Sequence, residues 1–139
     1  MTTYAQTSSD VLDLTQANEY FERAVTFWVT SFVDGKLDLI TRENFAADYE
    51  FNGQRQDLSQ IQTWCQWLID TYKGHKVTFL EGSFASGQQV ALHWSFEGER
   101  DCKAVSTEGI NLLKYNEKGQ CVSNWQVASP AENLIPPPS

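Results

Sequence analysis

Residues 88–97 read QQVALHWSFE, a run in which apolar and polar side chains alternate. This period of two is typical of a strand with one buried face. The apolar residues that it places on one face are Val90, Leu92, Trp94 and Phe96. One similar run precedes it, at 76–85 (KVTFLEGSFA), and two follow it, at 105–115 (VSTEGINLLKY) and 120–128 (QCVSNWQVA). The second half of the chain is therefore predicted to form four strands.

The connections between these runs indicate how the strands pair. Ser86-Gly87 and residues 117–119 have the composition of hairpin turns, and residues 98–103 predict a longer polar loop. Strands joined by hairpins are antiparallel, so the sequence predicts an antiparallel sheet.

The beginning of the chain has helical periodicity. Apolar residues recur at three- and four-residue steps between Ala17 and Phe32, which predicts an amphipathic helix over 14–34. Asp13 or Thr15 has a side chain able to cap its first turn.

Two further helices are predicted, one on each side of a short strand. The apolar spacing favours a helix over 37–46, and alternation at 48–52 favours a strand. Asp57 begins a helix over 57–73, because its spacing to Gln60 is that of a capping box.

The order of these elements predicts one α+β domain at residues 13–130, with three helices packed on one face of a curved antiparallel sheet. The polar residues 1–12 are expected to be a mobile arm, and residues 131–139 a Pro-rich tail that cannot extend the sheet. A chain of 139 residues with a hydrophobic fraction of 41% has enough material for one core.

Charge and cysteine content disfavour several classes of function. Eighteen acidic and ten basic residues give a net charge of -8, which disfavours nucleic acid and anionic membranes as partners. Cys65, Cys102 and Cys121 lack metal-ligand spacing, so we predict no metal and no other cofactor. An odd number of cysteines favours a reducing compartment, and no apolar run approaches the roughly 20 residues of a membrane span, so we expect a cytoplasmic protein.

Three short motifs carry a resemblance to a known family. They are DGKLD at 34–38, FAAD at 45–48, and NEKGQCV at 116–122 followed by Trp125. In this order the chain resembles the nuclear transport factor 2-like superfamily, within its SnoaL-like and ketosteroid isomerase-like branch. The resemblance implies a cystatin-like α+β cone, open at one end. It leaves the function open, because this fold hosts isomerases, cyclases, dehydratases, epoxide hydrolases and binding proteins.

The register that the resemblance implies divides the last two strands into faces. Residues expected inside the cone are Thr107, Asn111, Leu113, Tyr115, Val122, Asn124, Gln126 and Ala128. Residues expected outside are Glu108, Ile110, Leu112, Lys114, Cys121, Ser123, Trp125 and Val127. The outer set includes several apolar residues, so we predict a homodimer through the outer sheet face.

Aromatic rings and uncharged amides form the predicted ligand site. Its residues are Trp28, Phe51, Trp94, Phe96, Asn111, Tyr115 and Asn124. Buried amides without partners are costly, and a ligand would satisfy them. Asn111→Leu is therefore expected to weaken ligand binding without lowering the melting temperature.

The catalytic groups of the resembled enzymes are mostly missing. The positions that correspond to the ketosteroid isomerase base, tyrosine and protonated aspartate fall near Gly53, near Trp28 and at Asn111. Epoxide hydrolases of this fold use an arginine in the cone, and no arginine falls on an inward strand position. Steroid isomerisation and epoxide hydrolysis are therefore disfavoured.

SnoaL-like cyclases use an aspartate and a histidine in the pocket. The alternation directs His93 away from the cone, and His75 falls at a strand entry. Asp48 is the acid nearest the cone and the catalytic candidate.

We favour binding of a small apolar or aromatic molecule. The alternatives are a SnoaL-like cyclase, isomerase or dehydratase, and a protein-interaction or carotenoid-binding module. The last rests on residues 128–132 (ASPAE), which resemble the tail of cyanobacterial carotenoid-binding domains of this fold.

Overall fold

The predicted strands lie in one curved sheet, which is mixed rather than purely antiparallel. The run predicted as one strand at 76–85 is divided into two strands by residues 80–83. The computed structural model describes residues 5–6 and 18–137. Its strands are β1 (Ala5–Gln6), β2 (Phe45–Phe51), β3 (Gln54–Arg55), β4 (Lys73–Phe79), β5 (Phe84–Ser86), β6 (Gln89–Arg100), β7 (Lys103–Tyr115) and β8 (Cys121–Ser129). Across the sheet the order is β1-β4-β6-β7-β8-β2-β3, and β5 pairs with β6.

Two pairings account for the mixed character. β4, β6, β7 and β8 pair antiparallel, as predicted, whereas β2 is parallel to β8 and β1 is parallel to β4. β2 and β8 are separated in sequence by a helix and five strands, so no hairpin sets their relative direction. Two residues of the expected mobile arm, Ala5 and Gln6, thus lie in β1, and the other arm residues lie outside the described range.

The prediction of a longer loop at 98–103 is wrong. β6 runs on to Arg100, which pairs with Lys103, and two residues make the turn. Asp101 and Cys102 both have positive φ, 53° and 65°, as a two-residue hairpin turn requires. The polar composition of this stretch reflects an exposed hairpin rather than a loop.

The helices differ from the prediction in number. The described residues contain two α-helices, α1 (Glu19–Trp28) and α2 (Leu58–Thr71). Asn18 caps α1 and accepts from the backbone N–H groups of Tyr20 and Phe21, whereas Asp13 and Thr15 lie outside the described residues. The predicted capping box of Asp57 and Gln60 at the start of α2 is confirmed.

The prediction of a helix over 37–46 is wrong. Residues 37–44 form successive turns, in which the Ile40 N–H donates to the Leu37 carbonyl and the Asn44 N–H donates to the Thr41 carbonyl. The Asn44 side chain also donates to the Leu39 carbonyl at 2.9 Å, which takes an acceptor that a helix would use. Repeated three-residue turns bury apolar side chains at helical spacing, and this explains the misleading pattern.

A π-helix and a short 3-10 helix were not predicted. α1 continues as a π-helix at Val29–Val33. Ala131–Leu134, expected in a tail outside the domain, form a 3-10 helix that buries Leu134. The indole N–H of Trp64 in α2 donates to the Leu134 carbonyl at 2.8 Å, so this segment packs on the domain.

The predicted faces of β6 and β7 are confirmed. Their inward residues are buried and Ile110 and Leu112 are exposed. The exception lies in β8, where Cys121 is buried although it was expected outside. Lys114 pairs with Ser123 and Tyr115 with Cys121, so one extra residue interrupts the alternation.

The outer face of the sheet carries a histidine bonded at both ring nitrogens. His93 Nδ1 lies 2.7 Å from the Glu81 carbonyl oxygen, and Nε2 lies 2.7 Å from Glu108 Oε2. Both partners are acceptors, so the charged imidazolium satisfies both contacts and the neutral ring only one. The Glu81 carbonyl, and then Glu108, raises the pKa of His93 above 6.5.

The Glu108 contact is expected to make stability depend on pH. Because the folded pKa of His93 is raised, the stabilisation is fully present below pH 6.5 and is lost as pH rises through the folded value. Glu108→Gln should lower the free energy of unfolding by about 0.2–1 kcal/mol at low pH, the range of an exposed pair, and by less at high pH. Urea denaturation from about pH 5 to about pH 8 measures this.

Glu117→Gln, an exposed acid in the 117–119 turn, is the control and should show no such trend. A Glu108→Gln effect that stays constant across this pH range would contradict the assignment.

Candidate functional site

A cavity of about 490 Å³ lies between the helices and the inner sheet face. α1 forms one wall, β2 and α2 form others, and the ends of β7 and β8 form the floor. Most of its lining is aromatic or aliphatic, contributed by Ala24, Phe27, Trp28, Leu39, Phe45, Tyr49, Phe51, Ile61, Trp64, Cys65, Leu113, Tyr115 and Cys121. The size is within the range of about 300–1,000 Å³ typical of small-molecule sites.

The titratable groups deep in this wall are neutral at physiological pH. Burial raises the pKa of the Tyr49 and Tyr115 phenols well above the ordinary value of 10.0. Burial also raises the pKa of the Cys65 and Cys121 thiols to about 12. A hydroxyl or thiol held in this state donates and accepts hydrogen bonds but is not a base at neutral pH.

Among the described residues, the charged members of the lining lie at its edge. The first turns of α1 contribute three exposed residues that border the cavity, Glu19, Glu22 and Arg23. Arg23 lies over the last hairpin, where a Cβ on Gly119 would come within 2.7 Å of its guanidinium carbon. Glycine at this turn therefore makes room for the arginine.

A hydrogen-bond chain crosses the inner face of three strands. The Trp94 indole N–H of β6 donates to Asn111 Oδ1 at 2.6 Å. The Asn111 amide, in β7, then donates to Asn124 Oδ1 of β8 at 2.7 Å and to Gln126 Oε1 at 3.3 Å. Asn111 is completely buried, with 0% of its surface exposed, and all its polar atoms are used.

Gly109 allows Trp94 to reach this chain. The two residues are directly paired across β6 and β7, and a Cβ on Gly109 would lie 2.4 Å from the indole ring. Any side chain at this position would displace the indole, so a glycine in the middle of β7 is required by packing.

The predicted site residues separate into three groups. Trp28, Phe51, Tyr115 and Asn124 line the cavity. Trp94 and Phe96 instead line a second pocket of about 20 Å³, which Trp28 also borders. Asn111 lines neither the cavity nor the second pocket. Its amide is hydrogen-bonded to side chains of the two neighbouring strands.

The catalytic candidate Asp48 is exposed and does not line the cavity. β2 turns its buried side, with Phe45 and Tyr49, toward the cavity, so Asp48 falls on its solvent side. His93 faces outward as predicted, and His75 contacts the Phe32 carbonyl oxygen at the end of the π-helix. The described residues thus bring neither histidine to the cavity.

Sequence reasoning missed four aromatic residues of the wall, which are Phe27, Phe45, Tyr49 and Trp64. Tyr49 was part of the predicted short strand, but a register shift between Phe45 and Glu50 made its direction unreadable from alternation. Trp64 and Trp67 are three residues apart, and only Trp64 lines the cavity. The helical stripe through Ile61 and Cys65, which flank Trp64, was the signal available for it.

Solved structures with the same architecture identify the fold. TsrD from Streptomyces laurentii superposes with a TM-score of 0.69 at 10% identity, over 84% of this chain and 96% of that one. A SnoaL-like polyketide cyclase from Agrobacterium tumefaciens gives 0.66 at 10% identity, over 78% and 90%. The chain has the nuclear transport factor 2-like fold. A protein with a ketosteroid isomerase-like fold from Catenulispora acidiphila, solved in complex with trimethylamine, gives a TM-score of 0.62 at 17% identity, over 76% of this chain and 84% of that one.

Comparisons by sequence add no closer relationship. No protein-family model matches the chain, and no curated protein matches it. The likeness therefore establishes the nuclear transport factor 2-like fold and leaves the activity to be argued from the cavity.

Neither a metal site nor a membrane-spanning helix is found in residues 5–6 and 18–137. Within this part of the chain, no group of three or more His, Cys, Asp or Glu side chains is placed to hold a metal ion. Neither of its α-helices has the length and apolar character needed to cross a membrane.

The hydrogen-bond chain reverses the expectation for Asn111→Leu. The substitution leaves the Trp94 N–H without an acceptor and Asn124 Oδ1 without its donor, at about 1–3 kcal/mol for each buried unsatisfied group. We expect the free energy of unfolding to fall by at least about 2 kcal/mol in chemical denaturation.

Gln126→Leu is the matched control, because Gln126 is half-buried and its contact with Asn111 is long, at 3.3 Å. Equal losses in the two variants, or an unchanged stability of Asn111→Leu, would refute the structural role of Asn111.

Proposed function

We propose that this protein binds a small, uncharged and largely aromatic molecule in the main cavity. The observation that carries the proposal is a 490 Å³ space walled by aromatic rings in which the buried titratable groups are neutral. An apolar ligand gains free energy from leaving water, at about 25 cal/mol per Å² of buried apolar surface.

Polar groups in the wall would orient the ligand rather than react with it. Asn124 presents an amide whose Oδ1 is already bonded to Asn111, and Tyr49 lies beside it. Hydroxyl and amide groups at one end of an apolar wall match a ligand that carries a carbonyl or hydroxyl.

The alternative is a cyclase, isomerase or dehydratase reaction, since one protein of this fold is a SnoaL-like polyketide cyclase. Such reactions need a group that exchanges a proton near neutral pH. Among the described residues the carboxylates along the cavity are Glu19 and Glu22, both exposed at its edge. This arrangement favours binding over acid–base catalysis.

Obstruction of the cavity is the test of binding. A neutral dimethylaminonaphthalene carrying a propanoyl group changes its emission when it enters an apolar site, so titration gives its Kd. We expect Thr26→Phe, at an exposed position of the cavity lining, to weaken binding by about tenfold, equal to about 1.4 kcal/mol.

Thr63→Phe is the matched control, because Thr63 is exposed on α2 and lies outside the lining. The proposal fails if the probe does not bind the unmodified protein, or if the two variants weaken it equally. Native mass spectrometry of the purified protein would then identify any retained ligand, and a bound pigment would favour the carotenoid-binding alternative.

We also propose a homodimer through the outer sheet face. Ile110 pairs with Val127 and Leu112 with Trp125, so four exposed apolar side chains are adjacent on β7 and β8. Their exposed fractions are 47%, 76%, 54% and 53%, which is unusual for a contiguous set on a soluble monomer. Cys121, which was predicted to belong to this apolar patch, is buried and is not part of it.

A charge in the middle of this face should prevent association. We expect the unmodified protein to be a dimer at micromolar concentration and Val127→Glu to be a monomer with unchanged circular dichroism. Light scattering measures both. Ile135→Glu, at another exposed apolar residue, should remain dimeric, and a monomeric unmodified protein would eliminate the proposal.

A further inference from the structure

Two tryptophans separate the main cavity from the second pocket. Trp28 and Trp64 line both spaces, with ring centroids 6.5 Å apart and planes at 84°. The second pocket, about 20 Å³, has room for about one water. Beyond the partition it is enclosed almost entirely by apolar side chains, from Phe32, Leu68, Val77, Phe79, Trp94, Phe96 and Leu134.

The two halves of this partition are held differently. The indole N–H of Trp64 is fixed by its hydrogen bond to the Leu134 carbonyl. Trp94, which lines the second pocket, is fixed by its hydrogen bond to Asn111 Oδ1. The indole N–H of Trp28 is buried and has no hydrogen-bond partner among the described residues. Such a group costs about 1–3 kcal/mol, so hydrogen bonding opposes the position of Trp28 rather than securing it.

Ring packing alone holds Trp28 in place. Its indole stacks on Phe32 with centroids 4.5 Å apart and an interplanar angle of 14°, and Phe27 meets it edge-on at 5.8 Å. Stacking of this kind contributes about 0.5–1.5 kcal/mol per pair, comparable with the cost of the unpartnered N–H.

The backbone changes character at the same residue. Trp28 ends α1, and the following π-helix is closed by Asp34 N–H donating to the Val29 carbonyl at 3.0 Å. Ser31, inside this π-helix, is fully buried and its hydroxyl also lacks a partner among the described residues. π-helical turns are rare and occur frequently at functional sites.

We propose that Trp28 is a gate between the two spaces, and that the joined space takes an elongated ligand. The ring system of this ligand occupies the main cavity. A short, unbranched hydrocarbon arm fills the space that the displaced Trp28 ring leaves and reaches the second pocket, which by itself has room for about one water. Displacement of the Trp28 ring opens the path, while Trp64 stays bonded to Leu134. The proposal rests on the proposed binding function and specifies the ligand class for it.

A pair of probes that differ only in chain length tests the gate. The propanoyl dimethylaminonaphthalene enters the main cavity, and its hexanoyl analogue adds a short arm. Trp28→Ala removes the indole that fills the path, so the affinity for the hexanoyl probe divided by that for the propanoyl probe should rise about tenfold compared with the unmodified protein. Trp67→Ala, on the same helix as Trp64 but lining neither space, should leave this ratio unchanged.

A measurement on the unmodified protein avoids any loss of folding in Trp28→Ala. In protein labelled with fluorotryptophan, the Trp94 signal, assigned with Trp94→Phe, reports on the second pocket because Trp94 lines only that space of the two. We expect the hexanoyl probe to shift the Trp28 and Trp94 fluorine signals, and the propanoyl probe to leave the Trp94 signal unshifted.

The outcomes separate the two proposals. If the propanoyl probe binds but the hexanoyl probe leaves the Trp94 signal unshifted, or if Trp28→Ala does not change the ratio of the two affinities, the gate is refuted and the binding function stands. If neither probe binds any of these proteins, both proposals are refuted.

Discussion

The chain of hydrogen bonds from Trp94 through Asn111 to Asn124 is the constraint on which the inner sheet face depends. It joins side chains of three adjacent strands, β6, β7 and β8, inside a region that excludes water. An unsatisfied buried polar group is costly, and this chain of hydrogen bonds satisfies its members in a defined register. The requirement extends to Gly109, whose missing side chain gives the Trp94 ring its place.

This constraint also explains the division of the interior into occupied and open parts. The region around Asn111 is filled by its own hydrogen-bond partners, so the cavity lies between the ends of β7 and β8 and the two helices. Asn124 belongs to both regions, since it accepts from Asn111 and borders the cavity. The stability of the sheet and the shape of the site are therefore coupled through one amide.

Alternation and capping explain which features the sequence predicts. Val90, Leu92 and Phe96 were assigned correctly because the strand period determines the face of each side chain. The same period does not report depth, so it could not distinguish Asn111, inside the sheet, from Asn124, on the cavity wall. It also failed where the backbone departs from regular geometry, at the extra residue in β8 and the turns at 37–44. The homodimer and the ligand class remain predictions.

The two-residue turn between β6 and β7 has a practical consequence for chemical labelling. Cys102 at this turn is exposed, whereas Cys65 and Cys121 are buried and the pKa of each thiol is raised to about 12. The thiolate is the nucleophile that adds to a maleimide, so a maleimide should modify Cys102 selectively at neutral pH. Cys102 precedes β7, and Tyr115 at the far end of that strand borders the cavity, roughly 40 Å away along an extended strand. A spectroscopic label there would report on tumbling and self-association while the cavity wall stays chemically untouched.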